Sequence, residues 1–63
     1  MKLRHYTAFF DDGHDYGELE FTSLYRAGSS ANMEDARSAF RRAYGNKRLR
    51  EVTIYQIQRS ASA

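Results

Sequence analysis

Three stretches of this chain carry the aromatic and β-branched residues of strands, and a fourth repeats apolar residues at helical spacing. Leu3 to Phe10 (LRHYTAFF) divides into Leu3, His5, Thr7 and Phe9 on one side and Arg4, Tyr6, Ala8 and Phe10 on the other. Its aromatic and β-branched content predicts a strand over 3–10. Glu18 to Ala27 (ELEFTSLYRA) predicts a second strand over 18–27, with Leu19, Phe21 and Tyr25 on one face and Glu18, Glu20, Leu24 and Arg26 on the other. The adjacent Leu24 and Tyr25 leave room for a bulge near Thr22 and Ser23 that would shift the phase. Glu51 to Gln58 (EVTIYQIQ) predicts a third strand over 51–58, Val52 and Ile54 facing one way, Tyr55 and Ile57 the other.

The helical stretch is Asn32 to Gly45 (NMEDARSAFRRAYG). Met33, Ala36, Ala39, Phe40, Ala43 and Tyr44 form one apolar stripe spanning an arc of roughly 140°, wide enough to lie on a sheet. Asn32 is a suitable N-cap, its side-chain carbonyl accepting from the backbone N–H of Asp35. Glu34 and Asp35 at the start, and Arg41 and Arg42 at the end, suit the helix dipole. Gly45 stops the helix, expected over about 33–44, with a left-handed residue.

The connections follow from turn chemistry. Asp11 to Gly17 (DDGHDYG) reads as a hairpin turn, glycine supplying positive φ and aspartate bonding to its own backbone. Gly28 to Ala31 is a short linker, Asn46 to Arg50 a basic connection anchored by Leu49, and 59–63 a frayed polar tail. The expected fold is α+β with the order ββαβ, a single domain over 1–63. Its three-stranded, mainly antiparallel sheet carries the helix on one face. Strand order 2-1-3 is expected over 1-2-3 because antiparallel pairs outnumber parallel ones.

One helix covers one face of three strands. The spacing assigns Leu3, Phe9, Leu19, Phe21, Val52 and Ile54 to the covered face. It leaves Tyr6, Phe10, Leu24, Tyr55 and Ile57 on the other, among Arg4, Glu20 and Arg26, and a bulge would invert the two sets while still leaving apolar residues on the second face. An exposed aromatic cluster mixed with charge is an association patch, and a twofold dimer with sheets or hairpins packed together is its simplest use.

Size reinforces that expectation. A chain of 63 residues buries only about 60% of its unfolded surface, so a partner would add to a small core. Cysteine is absent, which removes disulfides and thiolate zinc sites and fits a reducing compartment. Met1 to Phe10 alternates with Lys2, Arg4 and His5 where a signal peptide would be continuously apolar, and no stretch has the length of a membrane span. A soluble cytoplasmic protein is expected, without membrane partners.

Charge is divided along the chain. Residues 1–35 carry three basic against seven acidic side chains, a balance of −4, and residues 36–63 carry seven basic against one acidic, a balance of +6. The acidic hairpin holds Asp11, Asp12, Asp15, Glu18 and Glu20, and the basic set comprises Arg37, Arg41, Lys47, Arg48 and Arg50. Such asymmetry suggests a polyanion at the basic end or two surfaces that attract each other. Arginines on a helix with tyrosines on a sheet are ingredients of nucleic-acid binding, but no RNP, KH or helix-turn-helix pattern accompanies them. Glu34 shares a helix flank with Arg37 and Arg41, where ordinary surface pairing is expected. Asp11, Asp12, His14 and Asp15 lack the register of a calcium loop and are explained by the turn. His5 and His14 stand near no nucleophile motif, so neither an enzyme, a metal site nor a cofactor is expected.

The ordering of Asp12-Gly13 after a strand, Tyr25 near the end of the second, Asn32 to Ala36 at the helix start and Glu51 to Gln58 as a closing β-branched strand resembles the very short ββαβ proteins encoded by phages and prophages. The resemblance carries no catalytic or binding motif. It implies a stand-alone protein acting by binding in a host cytoplasm, inhibiting or redirecting a host enzyme or serving as a defence component. The expectation is therefore a small non-enzymatic protein-binding module, homodimeric or bound to a host protein. A small DNA- or RNA-binding protein using the basic helix end is the alternative.

Overall fold

The structure, a computed structural model, describes residues 2–60. Strand β1 (Arg4–Asp11) sits between β2 (Tyr16–Ser23) and β3 (Thr53–Arg59), both antiparallel to it, giving the order β2-β1-β3. Helix α1 (Ser30–Tyr44) and a short α2 (Asn46–Glu51) complete the fold. The α+β class and the 2-1-3 order are those expected from the sequence.

The hairpin decides which residues meet the helices. Asp12 to Asp15 form the loop, and this length sets Tyr6 opposite Phe21, Ala8 opposite Leu19 and Phe10 opposite Gly17. Directly opposed residues share a face, so even-numbered residues of β1 lie beside odd-numbered residues of β2. Leu19 and Phe21 therefore take Tyr6, Ala8 and Phe10 with them beneath the helices, and Phe9 goes to the open side. This overturns the expected pairing of Leu3 and Phe9 with Leu19 and Phe21. Leu3, ahead of the strand, is largely exposed. The ring of Phe10 fills the space over Gly17, where an added Cβ would lie 2.5 Å from the ring edge.

A bulge sets the other edge. Phe9 pairs with Gln56 but Phe10 pairs with Ile54, leaving Tyr55 as the extra residue. Ile54 and Ile57, three apart, both turn toward the helices, whereas strict alternation separates them. The bulge expected near Thr22 and Ser23 is not formed, because β2 ends at Ser23. There the Ser23 hydroxyl donates to the Asp35 carboxylate at 2.7 Å and accepts the N–H of Tyr25 at 3.1 Å.

Helix α1 begins a turn earlier than expected. Ser29 is the N-cap, its Oγ accepting from the N–H of Asn32 at 3.2 Å. Asn32 is fully buried instead, accepting from the N–H of Gly28 at 3.3 Å and donating to the carbonyl of Tyr25 at 3.2 Å. It ties the β2–α1 connection to the helix. The first turn consequently holds no acidic residue, while Arg41 and Arg42 occupy the last. Gly45, at φ 96°, ends the helix by donating its N–H to the carbonyl of Arg41 at 2.8 Å.

The core has two adjoining parts. Tyr6, Ala8, Phe21 and Ala36 form one, and Phe10, Phe40, Leu49 and Val52 the other, with Ile54 packed against both. Phe10 and Phe40 meet edge to face at 4.9 Å between centroids. The connection expected over Asn46–Arg50 is the helix α2, and its Leu49 is the anchor expected of it. Of the tail expected to fray, Arg59 belongs to β3 and Ser60 donates its N–H to the carbonyl of His5 at 3.0 Å, while 61–63 lie outside the described residues.

Candidate binding surface

The face of the sheet turned away from the helices is built from alternate residues of each strand. His5, Thr7, Phe9 and Asp11 come from β1, and Tyr16, Glu18, Glu20 and Thr22 from the opposing register of β2. Strand β3 adds Gln56 and Gln58 opposite Phe9 and Thr7, and the bulge adds Tyr55. Phe9 and Tyr55 have centroids 6.4 Å apart, and Tyr16 meets Tyr55 edge to face at 6.1 Å. The two tyrosines, Tyr16 and Tyr55, are 77% and 52% exposed, so the cluster projects into water. Its neighbours are acidic: Glu18 lies opposite Phe9 and Asp11 opposite Tyr16. The two basic strand residues, Arg4 and Arg59, align with Ser23 and Tyr6 on the helix side. This face thus joins three aromatic rings to three carboxylates and bears no strand lysine or arginine.

Of the apolar residues expected on the open face, only Tyr55 is found there, and of the charged ones Glu20 is, whereas Arg4 aligns with the helix side. Tyr6 and Phe10 are buried beneath the helices, at 1% and 9% exposure, and Ile57 packs half-buried against the first core cluster. The hairpin register moves the first two and the bulge moves the third. Leu24 is exposed but lies beyond the end of β2, in the turn leading to α1. Phe9 and Tyr16 were missed as surface residues. Loop length was the missed signal: an Asp12–Asp15 turn fixes the parity that sends Phe9 outward.

The acidic hairpin is partly occupied by its own backbone. Asp11 Oδ1 accepts the N–H of Gly13 at 2.8 Å, and Asp12 Oδ1 accepts those of His14 and Asp15 at 2.9 and 2.8 Å. The Asp15 and His14 amides, joined by the Arg48 guanidinium, hold the Asp12 carboxyl below its usual range. Arg48 Nη2 stands 3.8 Å from Asp12 Oδ2, a long and solvent-screened pair. Asp15, Glu18 and Glu20 are exposed. Among the described residues, no three acidic or histidine side chains converge as metal ligands would.

The basic set lies on the helical layer. Arg37 and Arg41 are exposed on α1, and Lys47, Arg48 and Arg50 on α2. Arg48 makes the single ion pair among the described residues, so the expected pairing of Glu34 with Arg37 and Arg41 is absent. No described helix is long and apolar enough to cross a membrane. No family model, curated protein or solved structure gives a significant match to this chain.

Proposed function

We propose that this chain is a non-enzymatic protein-binding module whose recognition surface is the open face of its sheet, and that the partner presents lysine or arginine beside apolar side chains. The observation that carries this reading is the projecting Phe9–Tyr55–Tyr16 cluster among Asp11, Glu18 and Glu20, on a face without strand cations. A cationic side chain is attracted both by the ring faces and by the carboxylates. Action by occupying a host protein, as an inhibitor does, is the biological form that agrees with the resemblance to short phage proteins. Face-to-face packing of two copies would bring six carboxylates together without a cation between them. A homodimer therefore suits the outer edge of β3, whose central residues carry no charge, better than the sheet face.

The test is a titration of isotopically labelled protein with a peptide alternating arginine and leucine, beside a matched glutamate–leucine peptide. Saturable amide shifts at Phe9, Tyr16, Glu18 and Tyr55 with the cationic peptide alone, abolished in Tyr16→Ala/Tyr55→Ala, are expected. Shifts confined to α1 and α2, or none that saturate, would overturn the reading.

One observation favours a second reading, the binding of DNA or RNA. Arg37, Arg41, Arg42, Lys47 and Arg50 have no carboxylate within ion-pair distance among the described residues. Neutralising phosphates with them predicts affinity falling steeply with salt and lost on reversal of Arg37 and Arg41. No mobility shift on duplex or single strands at low salt would end it.

A further inference from the structure

The antiparallel register brings the start of β1 beside the end of β3, at the opposite end of the sheet from the hairpin. Tyr6 pairs with Arg59, the N–H of Ser60 donates to the carbonyl of His5 at 3.0 Å, and the hydroxyls of Ser60 and Thr7 are hydrogen-bonded at 2.8 Å. These contacts frame an open cleft of about 340 Å³ lined by Lys2, Leu3, Arg4, His5, Arg59 and Ser60. Three of the six lining residues are cations and none is acidic. Two carboxylates stand one residue away from the lining: Glu20, opposite the Thr7 that bonds Ser60, and Asp35, which binds the hydroxyl of Ser23, the residue opposite Arg4. Neither makes an ion pair with Arg4, and no described carboxylate pairs with Lys2 or Arg59.

Like charges converge here without an ion-pair partner among the described residues. Their mutual repulsion is relieved by a bound anion, and the cleft has the volume of a small-ligand site. Two guanidinium groups offer planar donor forks, which match the oxygens of a phosphate, and the lysine adds a compact third charge. The Ser60 hydroxyl and the His5 imidazole supply further polar groups along the wall.

We infer that this cleft is an anion site for a phosphate group, with Arg4 and Arg59 as its principal ligands and Lys2 as a supporting charge. It shares His5 with the open face but lies at the other end of the sheet from the Phe9–Tyr55–Tyr16 cluster and apart from the arginines of α1 and α2, and it does not depend on either functional reading above. Neither the charge division along the chain nor any local motif reveals it, because its residues come from the two ends of the sequence.

The test uses the full chain titrated with inorganic phosphate, followed by amide shifts. Saturable shifts at Lys2, Arg4, His5, Arg59 and Ser60 are expected, with a Kd on the order of 1 mM for a solvent-open site. Arg4→Ala/Arg59→Ala should weaken binding by about tenfold or more, the loss of two charge-assisted contacts, whereas Tyr16→Ala should not change it. Arg59→Lys, which keeps the charge but not the fork, should fall between, and it supplies the answer if the double variant does not fold. Oligonucleotides with and without a 5′ phosphate separate the sources. Shifts in this cleft only with the phosphorylated strand mark a terminal phosphate, and equal shifts with both mark the backbone. Shifts that rise linearly with phosphate without saturating, or that appear equally at Arg37 and Arg41, would overturn the inference.

Discussion

Replacing Asn32 by aspartate separates two accounts of how the helix begins. As an N-cap, Asn32 would tolerate the change, because Asn and Asp cap almost equally well. In the structure it is fully buried and its Nδ2 donates to the carbonyl of Tyr25. Aspartate places a charged oxygen against that carbonyl oxygen, removing a donor and burying a charge with only the Gly28 N–H to compensate it. The cost is about 3 kcal/mol, from the lost hydrogen bond and the uncompensated charge. A chain of this size has roughly 3–9 kcal/mol in total, so the variant should sit close to unfolding. With a urea slope of about 1 kcal/mol per molar, the midpoint falls by about 3 M. Ser29→Ala, which removes the actual cap, should cost about 1 kcal/mol. The deficit caused by Asn32→Asp should also depend on pH. Burial raises the folded-state pKa of the new carboxyl above its unfolded value. The deficit is therefore full above the folded pKa and recovers as pH falls toward the unfolded value of about 3.9. Urea melts of the two variants across pH are the assay. A neutral Asn32→Asp would refute the buried tether, and a neutral Ser29→Ala beside it, with a costly Asn32→Ala, would restore Asn32 as the cap.

Other outcomes follow from the same packing. Gly17→Ala drives a Cβ to 2.5 Å from the Phe10 ring, and because that ring is held against Phe40, the variant should lose about 1–3 kcal/mol, read by thermal or urea melts. Phe40→Ala, emptying the contact between helix and sheet, should cost about 3–5 kcal/mol and leave the chain largely unfolded by circular dichroism. The depressed Asp12 carboxyl, held first by the Asp15 amide, stabilises the hairpin fully above the unfolded carboxylate pKa. That contribution is lost as pH falls through the lower folded value. The His14 and Asp15 amide resonances should shift over this acid range, and in Asp12→Asn the His14 amide should not. Tyr16→Ala, at a ring 77% exposed, should change stability by no more than about 0.5 kcal/mol.

Fold class, strand order, the Gly45 stop and the Leu49 anchor were legible because each rests on a local signal or a simple topological rule. Facing was harder. A strand with large apolar groups on both sides, such as Leu3 to Phe10, does not declare its buried face. The choice passes to the hairpin register, and there to the number of residues in the Asp12–Asp15 loop. The bulge at Tyr55 is a long-range compromise: it lets Ile54 and Ile57 both reach the core while the tyrosine joins Phe9 and Tyr16. No local propensity encodes it. Asn32 misled because Ser29, three residues earlier, caps as well, and only the burial of the β2–α1 connection decides between them. The cleft at the other end of the sheet was invisible for a related reason, since Lys2, Arg4 and Arg59 become neighbours only once β3 lies beside β1.

The central claim is that the sheet's open face, and not the helical layer, makes the functional contact. It is tested most directly by placing a photo-crosslinking amino acid at position 16 in one variant and at position 37 in another, each expressed in the native host. A discrete adduct from position 16, joined to a partner peptide containing lysine or arginine and lost when Glu18 and Glu20 are changed to lysine, is the predicted result. An adduct from position 37 to protein or nucleic acid, with none from position 16, would contradict it.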